Sequence, residues 1–219
     1  VLTEEEQMIR ESASRFLEKH AGPEVVRQIR DGENPKGFID DTWKRMVELG
    51  WPAILVPEEY GGLELSHVAM GQIMELSGSH LACSPLLVSA VVAPSIFVLG
   101  GNEQQKAELL PMIASGNITI ALAIDETSRH KPLIVNTTAT RSGDKYKLHG
   151  EKHFVVDGGF VSHFLVSARI SARGEGKDGI SLFLVPSDSE GVEVNSTTTI
   201  DSGNSATVLF DNVCVADDQ

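Results

Sequence analysis

Apolar residues recur every three or four positions through the first half of this sequence and alternate with polar ones through the second; the change falls just after Gly116. Thr3 followed by Glu6 fits a capping box at the start of a helix carrying Met8, Ile9, Ala13, Phe16 and Leu17. Gly22-Pro23 ends it. A second helix is predicted over 38–49, with Trp43, Met46 and Val47 on one side and Gly50 as its stop. A third starts near Ser66 and carries Val68, Met70, Ile73 and Met74. A fourth, mostly buried, covers 86–99. Asn102 with Gln105 caps a helix that runs to about residue 115, which Pro111 must bend or restart because it lacks a backbone donor.

Beyond Gly116 the runs become short and β-branched. Segments 118–124 and 133–141, then Tyr146, Leu148, Phe154 and Val155, then "HFLVSARI", "ISLFLV", "VEV" and "ATVLFDNVCV" read as strands. Turns rich in Gly and Asp separate them, such as Ser142-Gly143-Asp144 and residues 174–179. The pattern predicts an antiparallel barrel or sandwich. The expected class is therefore α+β, with a helical domain over 1–117 and a β domain over 118–219.

Composition narrows the function. The chain has 219 residues and a net charge of −13, so a phosphate backbone or an anionic membrane surface would be repelled. Neither nucleic acid nor membrane is expected as a partner. Cys83 and Cys214 are far apart and lack metal-ligand spacing, which suits reduced thiols and a cytoplasmic location. The longest apolar run, 85–100, is too short for a membrane span and is broken by Ser89, Pro94 and Ser95. The opening residues show no basic region ahead of an apolar one, so no secretory signal is expected there.

Familiar nucleotide and hydrolase motifs fail. Gly176-Lys177 is followed by Asp178, and no G-x-G-x-x-G or G-x-S-x-G occurs at a suitable turn. His149, His153 and His163 have no accompanying ligand motif, so no metal is expected. Glu58-Glu59 reads as a solvated turn, and Tyr60-Gly61-Gly62 as the bend after it.

Five segments, in order, resemble the acyl-CoA dehydrogenase family: "ELGWPAILVPEEYGGLELS" (48–66), "GNEQQKAELLPMIASGN" (101–117), "ALAIDE" (121–126), "YKLHGEKHFVVDGG" (146–159) and "ATVLFDNVCVADD" (206–218). The third falls where the family has A-x-T-E-P and the fourth where it has L-x-G-x-K-x-W-I-T-N-G. The resemblance implies an N-terminal helical domain and a middle β domain; nothing in the sequence corresponds to the family's C-terminal four-helix domain. It further implies FAD as cofactor, an acyl-CoA thioester as substrate, an electron-transfer flavoprotein as electron acceptor, and a homo- or hetero-oligomer. The family's glutamate base comes from the C-terminal domain in many members, so no catalytic residue is assigned within this chain, which alone is expected to be inactive. Fatty-acid or steroid catabolism is the implied setting.

Carried over by position, Ile124, Asp125, Glu126, Phe154, Val155 and Val156 become the flavin-contacting residues, while Arg129 and Lys131 become candidates for phosphate contacts with the substrate. Lys152 is expected to anchor its strand by an ion pair. Four positions depart from the family pattern. Asp125 stands in place of a Thr that donates toward flavin N1 and O2. Thr127 to Pro132 replace a glycine-rich loop, Phe154 replaces Trp, and Val156 replaces the Thr that addresses flavin N5. A carboxylate ~5 Å from reduced flavin would oppose its charge by ~3 kcal/mol at an effective dielectric near 20, unless it turns away or binds a proton. Several readings therefore stand together: an FAD-dependent acyl-CoA dehydrogenase polypeptide, a flavin-deficient partner subunit of a heteromeric one, an acyl-CoA-binding module, or a flavin monooxygenase or nitroalkane oxidase on the same fold.

Overall fold

The computed structural model describes residues 2–32, 34, 36–170, 179–201 and 203–216. The predicted turn at 174–179 lies outside these residues except for Gly179, as does Gly176-Lys177. The chain divides into two compact units, Val1–Ile118 with Ile200–Gly203, and Thr119–Thr199 with Asn204–Gln219.

Among the described residues six α-helices build the first unit: α1 (Glu4–His20), α2 (Pro23–Asp31), α3 (Asp40–Glu48), α4 (His67–Ser79), α5 (Ala93–Gly100) and α6 (Glu103–Ala114). Their starts follow local chemistry. At α1 the Glu6 amide donates to Thr3 Oγ1 at 3.2 Å and the Thr3 amide donates to Glu6 at 3.0 Å. Asn102 and Gln105 exchange the same pair of bonds at α6, and Ser66 Oγ caps α4 through the Ala69 amide.

Three expectations change. Gly22-Pro23 ends α1 and also begins α2, with Pro at a first-turn position where its missing donor costs nothing. Pro111 does not restart α6, which runs uninterrupted from Glu103 to Ala114. The predicted fourth helix opens as a π turn, Leu87–Val92, before α5 takes over. Pro94 sits in the first turn of α5, and the widened turn ahead of it accommodates a ring that would crowd the carbonyl four residues back. Met8 is 70% exposed while Ala13 and Leu17 are fully buried; Met8 and Leu17 are nine residues apart, which places them on opposite sides of α1.

Among the described residues seven strands form the second unit: β1 (Ile120–Ala123), β2 (Thr138–Ser142), β3 (Lys145–Val156), β4 (His163–Ile170), β5 (Ile180–Pro186), β6 (Val192–Thr198) and β7 (Asn204–Ala216). They make one sheet in the order β1-β4-β2-β3-β7-β6, with β5 also on β4. The α+β class is as expected. Hairpin pairs are antiparallel, yet β4 runs parallel to both β1 and β2, so the sheet is mixed. The segment predicted as a strand over 133–141 forms one only from Thr138. Phe164, Phe183, Val185, Val208 and Phe210 fill the interior of the sheet unit, and Phe164 meets Phe210 edge-on at 6.4 Å. No helix among the described residues is long and apolar enough to cross a membrane.

Candidate functional site

β3 is the spine of the site, and it is irregular twice. Its register against β7 shifts between Leu148 and Gly150 and again between Lys152 and Val155. At the first shift Gly150 has φ 151°, and a Cβ there would run into Thr137. At the second, His153 and Phe154 together face a single residue of β7, Thr207, because Lys152 pairs with Val208 and Val155 with Ala206. This is a β-bulge. Phe154 takes φ 52° in it and is 67% exposed. The bulge turns an aromatic ring out of a strand whose next residue, Val155, is 1% exposed.

Under the bulge lies a buried ion pair. Lys152 Nζ is 2.7 Å from Glu126 Oε1, with the two side chains 0% and 5% exposed. Lys152 also donates to Ser167 Oγ at 2.9 Å and to the Ile124 carbonyl at 3.5 Å. Glu126 accepts the Asn136 amide at 2.6 Å and the Thr137 amide at 2.9 Å. Burial pushes the Lys152 ammonium below its ordinary value, against the pull of Glu126. Burial alone would raise the Glu126 carboxyl, but donors from Lys152, Thr137 and Asn136 outweigh it and hold the group below the usual carboxylate range.

The adjoining loop, 125–131, is organised by Asp125. Its Oδ1 accepts the Lys131 amide at 3.0 Å and its Oδ2 lies 2.9 Å from His130 Nδ1. Its carbonyl accepts the His153 amide at 2.7 Å. Thr127 Oγ1 donates to the Arg129 carbonyl and accepts the Arg129 amide. A loop without glycine thus closes on side-chain hydrogen bonds instead of close backbone turns.

Loop, bulge and the β6–β7 strands border an open cavity of about 620 Å³. Asp125, Arg129, His130, His153 and Phe154 line it, together with the hydroxyl-bearing residues Thr197, Ser205 and Thr207. Thr197 pairs directly with Ser205 across the two strands. An exposed aromatic face, a cation and a row of hydroxyls suit a planar aromatic ligand bearing polar or anionic groups.

Both parts of the sequence match family models: residues 3–117 match the acyl-CoA dehydrogenase N-terminal domain and residues 122–213 the acyl-CoA dehydrogenase middle domain. The chain belongs to the acyl-CoA dehydrogenase family. It is 29% identical over 221 residues to the probable acyl-CoA dehydrogenase YngJ of Bacillus subtilis, covering 98% of this chain and 57% of that protein. Its fold superposes on glutaryl-CoA dehydrogenase from Mycobacterium smegmatis with a TM-score of 0.85 at 25% identity, over 100% of this chain and 55% of that one. An acyl-CoA dehydrogenase complexed with FAD from Bacillus anthracis is 27% identical with a TM-score of 0.84, over 99% of this chain and 38% of that one. The chain therefore spans little more than half the length of YngJ and the Mycobacterium smegmatis enzyme, and less of the Bacillus anthracis one.

Within this member of the acyl-CoA dehydrogenase family the carried-over positions separate. Asp125, Arg129 and Phe154 line the cavity. Val156 is half exposed at the end of β3, and Val155 points into the core. Ile124 contributes its carbonyl to Lys152, and Glu126 spends its carboxylate on Lys152 and two amides. Lys131 is placed by its backbone amide, with its side chain outside the cavity lining. The anchoring role expected of Lys152 is met by Glu126. The sequence reading missed His153, Thr197, Ser205 and Thr207. A signal for the hydroxyls was present in the run Ser196-Thr197-Thr198-Thr199 and in Ser205 and Thr207, which alternate with Ala206. His149, His153 and His163 neighbour Asp211, Thr207 and Ser162 respectively, and no cluster of three metal-ligating residues occurs among the described residues.

Proposed function

We propose that this chain takes part in FAD-dependent α,β-dehydrogenation of an acyl-CoA thioester, with the cavity beside Phe154 as part of the cofactor and substrate site. Phe154 carries the reading: it is an aromatic ring held out of a strand by a bulge and a left-handed backbone, and it faces a hydroxyl-lined cavity. Bound FAD would supply the two-electron acceptor for the reaction. Phe154 offers the stacking surface, with Ile124, Asp125, Glu126 and Val155 shaping the wall behind it by backbone and packing and Val156 closing its edge. Arg129 offers a planar cation for phosphate, and Lys131 adds positive charge at the loop tip. Asp125 fits because its carboxylate oxygens are engaged by the His130 ring and the Lys131 amide. The relatives' names support the acyl-CoA class, and the FAD complex of the Bacillus anthracis protein supports the cofactor. An electron-transfer flavoprotein as acceptor, an oligomeric assembly and a cytoplasmic setting belong to the same proposal.

The test is an absorption scan of purified protein during titration with FAD, followed by anaerobic addition of acyl-CoA. A bound flavin spectrum that bleaches on thioester addition supports the reading; bound flavin that never responds to a thioester overturns it. A second reading, a flavin-deficient subunit of a heteromeric acyl-CoA dehydrogenase, is favoured by one pair of observations. Asp125 spends both carboxylate oxygens inside its own loop, and the Val156 side chain offers no hydrogen-bond donor. A colourless chain that acquires flavin only with a second polypeptide distinguishes it.

A further inference from the structure

Three features meet at the second bulge of β3. The Lys152–Glu126 pair is buried and lies one residue before the bulge. The His153 amide, the first bulged residue, donates to the Asp125 carbonyl at 2.7 Å. Phe154, the second, has φ 52° although it is neither Gly nor Asn, and its ring is mostly in solvent. Bulky residues avoid the left-handed region, and such conformations persist only where the surroundings impose them. Phe154's own packing does not impose it, because the side chain is 67% exposed. The restraint comes from its neighbours: segment 124–126 is tied to β3 by Lys152 Nζ on Glu126, Lys152 Nζ on the Ile124 carbonyl, and the His153 amide on Asp125. On the other side, Val155 is fixed by the core. The chain between two anchored points has one residue too many for the ladder, and the excess is taken up at 153–154.

We infer that the Glu126–Lys152 pair is a positioning device: by fixing β3 ahead of its bulge it holds the Phe154 backbone left-handed and presents the ring to the cavity. Only the identity of the stacked ligand rests on the flavin reading above; the coupling between pair and backbone does not. Glu126 and Lys152 act through Phe154 and touch no ligand themselves.

The experiment is a mutant cycle on the 219-residue chain, read by urea unfolding. Glycine accepts positive φ without strain. Phe154→Gly should therefore raise the urea midpoint while the pair is intact. In the background Glu126→Gln with Lys152→Met, the bulge relaxes, and the same substitution should lower the midpoint. Equal shifts in the two backgrounds would mean independent sites and would overturn the inference. If the double background does not fold, Glu126→Asp, which keeps the charge and shortens the reach, takes its place in the same cycle with the same criterion. A spectroscopic arm uses FAD as probe: the visible circular dichroism of bound flavin should change sign or lose at least half its amplitude in Glu126→Asp, compared at a temperature where both proteins are folded. An unchanged flavin signal there would also count against the inference. A wild-type chain that binds no FAD, alone or with a second polypeptide, defeats the flavin reading instead, and the urea cycle then decides the positioning role by itself.

Discussion

The Asp125 carboxylate lies 2.9 Å from His130 Nδ1 and takes the Lys131 amide at 3.0 Å on its other oxygen. A group that would face reduced flavin if it pointed like the family's Thr is turned instead into its own loop. Its side chain is only 21% exposed. The Asp125 carboxylate therefore supplies closure to a loop, 127–132, that contains no glycine. Asp125→Thr should loosen residues 127–131. Losing one net hydrogen bond of about 1 kcal/mol raises the population of the open loop roughly fivefold. Limited trypsinolysis after Arg129 should accelerate by about that factor; an unchanged cleavage rate would show that the loop is held elsewhere.

Val156 should behave in the opposite way. It ends β3, is 42% exposed and offers only methyl groups. Val156→Thr keeps the β-branched shape and adds a donor. One new hydrogen bond to flavin, worth about 1 kcal/mol, should lower the dissociation constant for FAD roughly fivefold, measured by fluorescence quenching. Adding Asp125→Thr should not improve on this, because the loosened loop offsets any gain. A double variant that binds FAD far more tightly than Val156→Thr alone would show that the Asp125 charge, not the missing hydroxyl, limits binding.

What was legible in the sequence follows the range of the interactions. Capping at Thr3 and Asn102 is decided within four residues and could be read directly. The helical stripe of α1 could be read as well, except that Met8 was counted by hydrophobicity although its angle places it opposite Leu17. The mixed pairing around β4 was not legible, because β1 and β2 reach it from 43 and 31 residues away and alternation carries no direction. The Glu126–Lys152 pair was half legible: Lys152 invites an ion pair, but its partner lies 26 residues back. The left-handed Phe154 was invisible, since no turn residue marks it and its cause is an anchored neighbour.

Breaking that buried pair by one partner should be costly. Lys152→Met leaves the Glu126 carboxylate buried without its cation, and such a change destabilises by about 3–5 kcal/mol. The double change Glu126→Gln with Lys152→Met removes both charges and should recover part of the loss. Urea unfolding followed by far-ultraviolet circular dichroism measures both. A Lys152→Met variant as stable as wild type would mean that Glu126 takes up a proton or rotates to solvent at little cost.

Acidification should weaken the sheet unit in two stages. His163 is half buried on β4, and burial pushes its imidazole below the ordinary value, against a weaker pull from Asp188. A lowered folded value means that the unfolded chain binds the proton more readily. The His163 contribution is therefore complete above about pH 6.5 and is lost as pH falls through the lower folded value. Glu126 behaves alike at a lower pH, because its donors hold the carboxylate ionised in the folded state. Its contribution is complete above about pH 4.3 and disappears as pH falls through its depressed value. Stability should thus decline gently as pH falls below about 6.5 and fall steeply below about 4. His163→Asn should flatten the gentle decline and leave the steep one. His20, on α1, is also lowered by burial and should leave a residual slope in the same range. A decline between pH 6.5 and 5 that is as deep in His163→Asn as in wild type would assign it to another group.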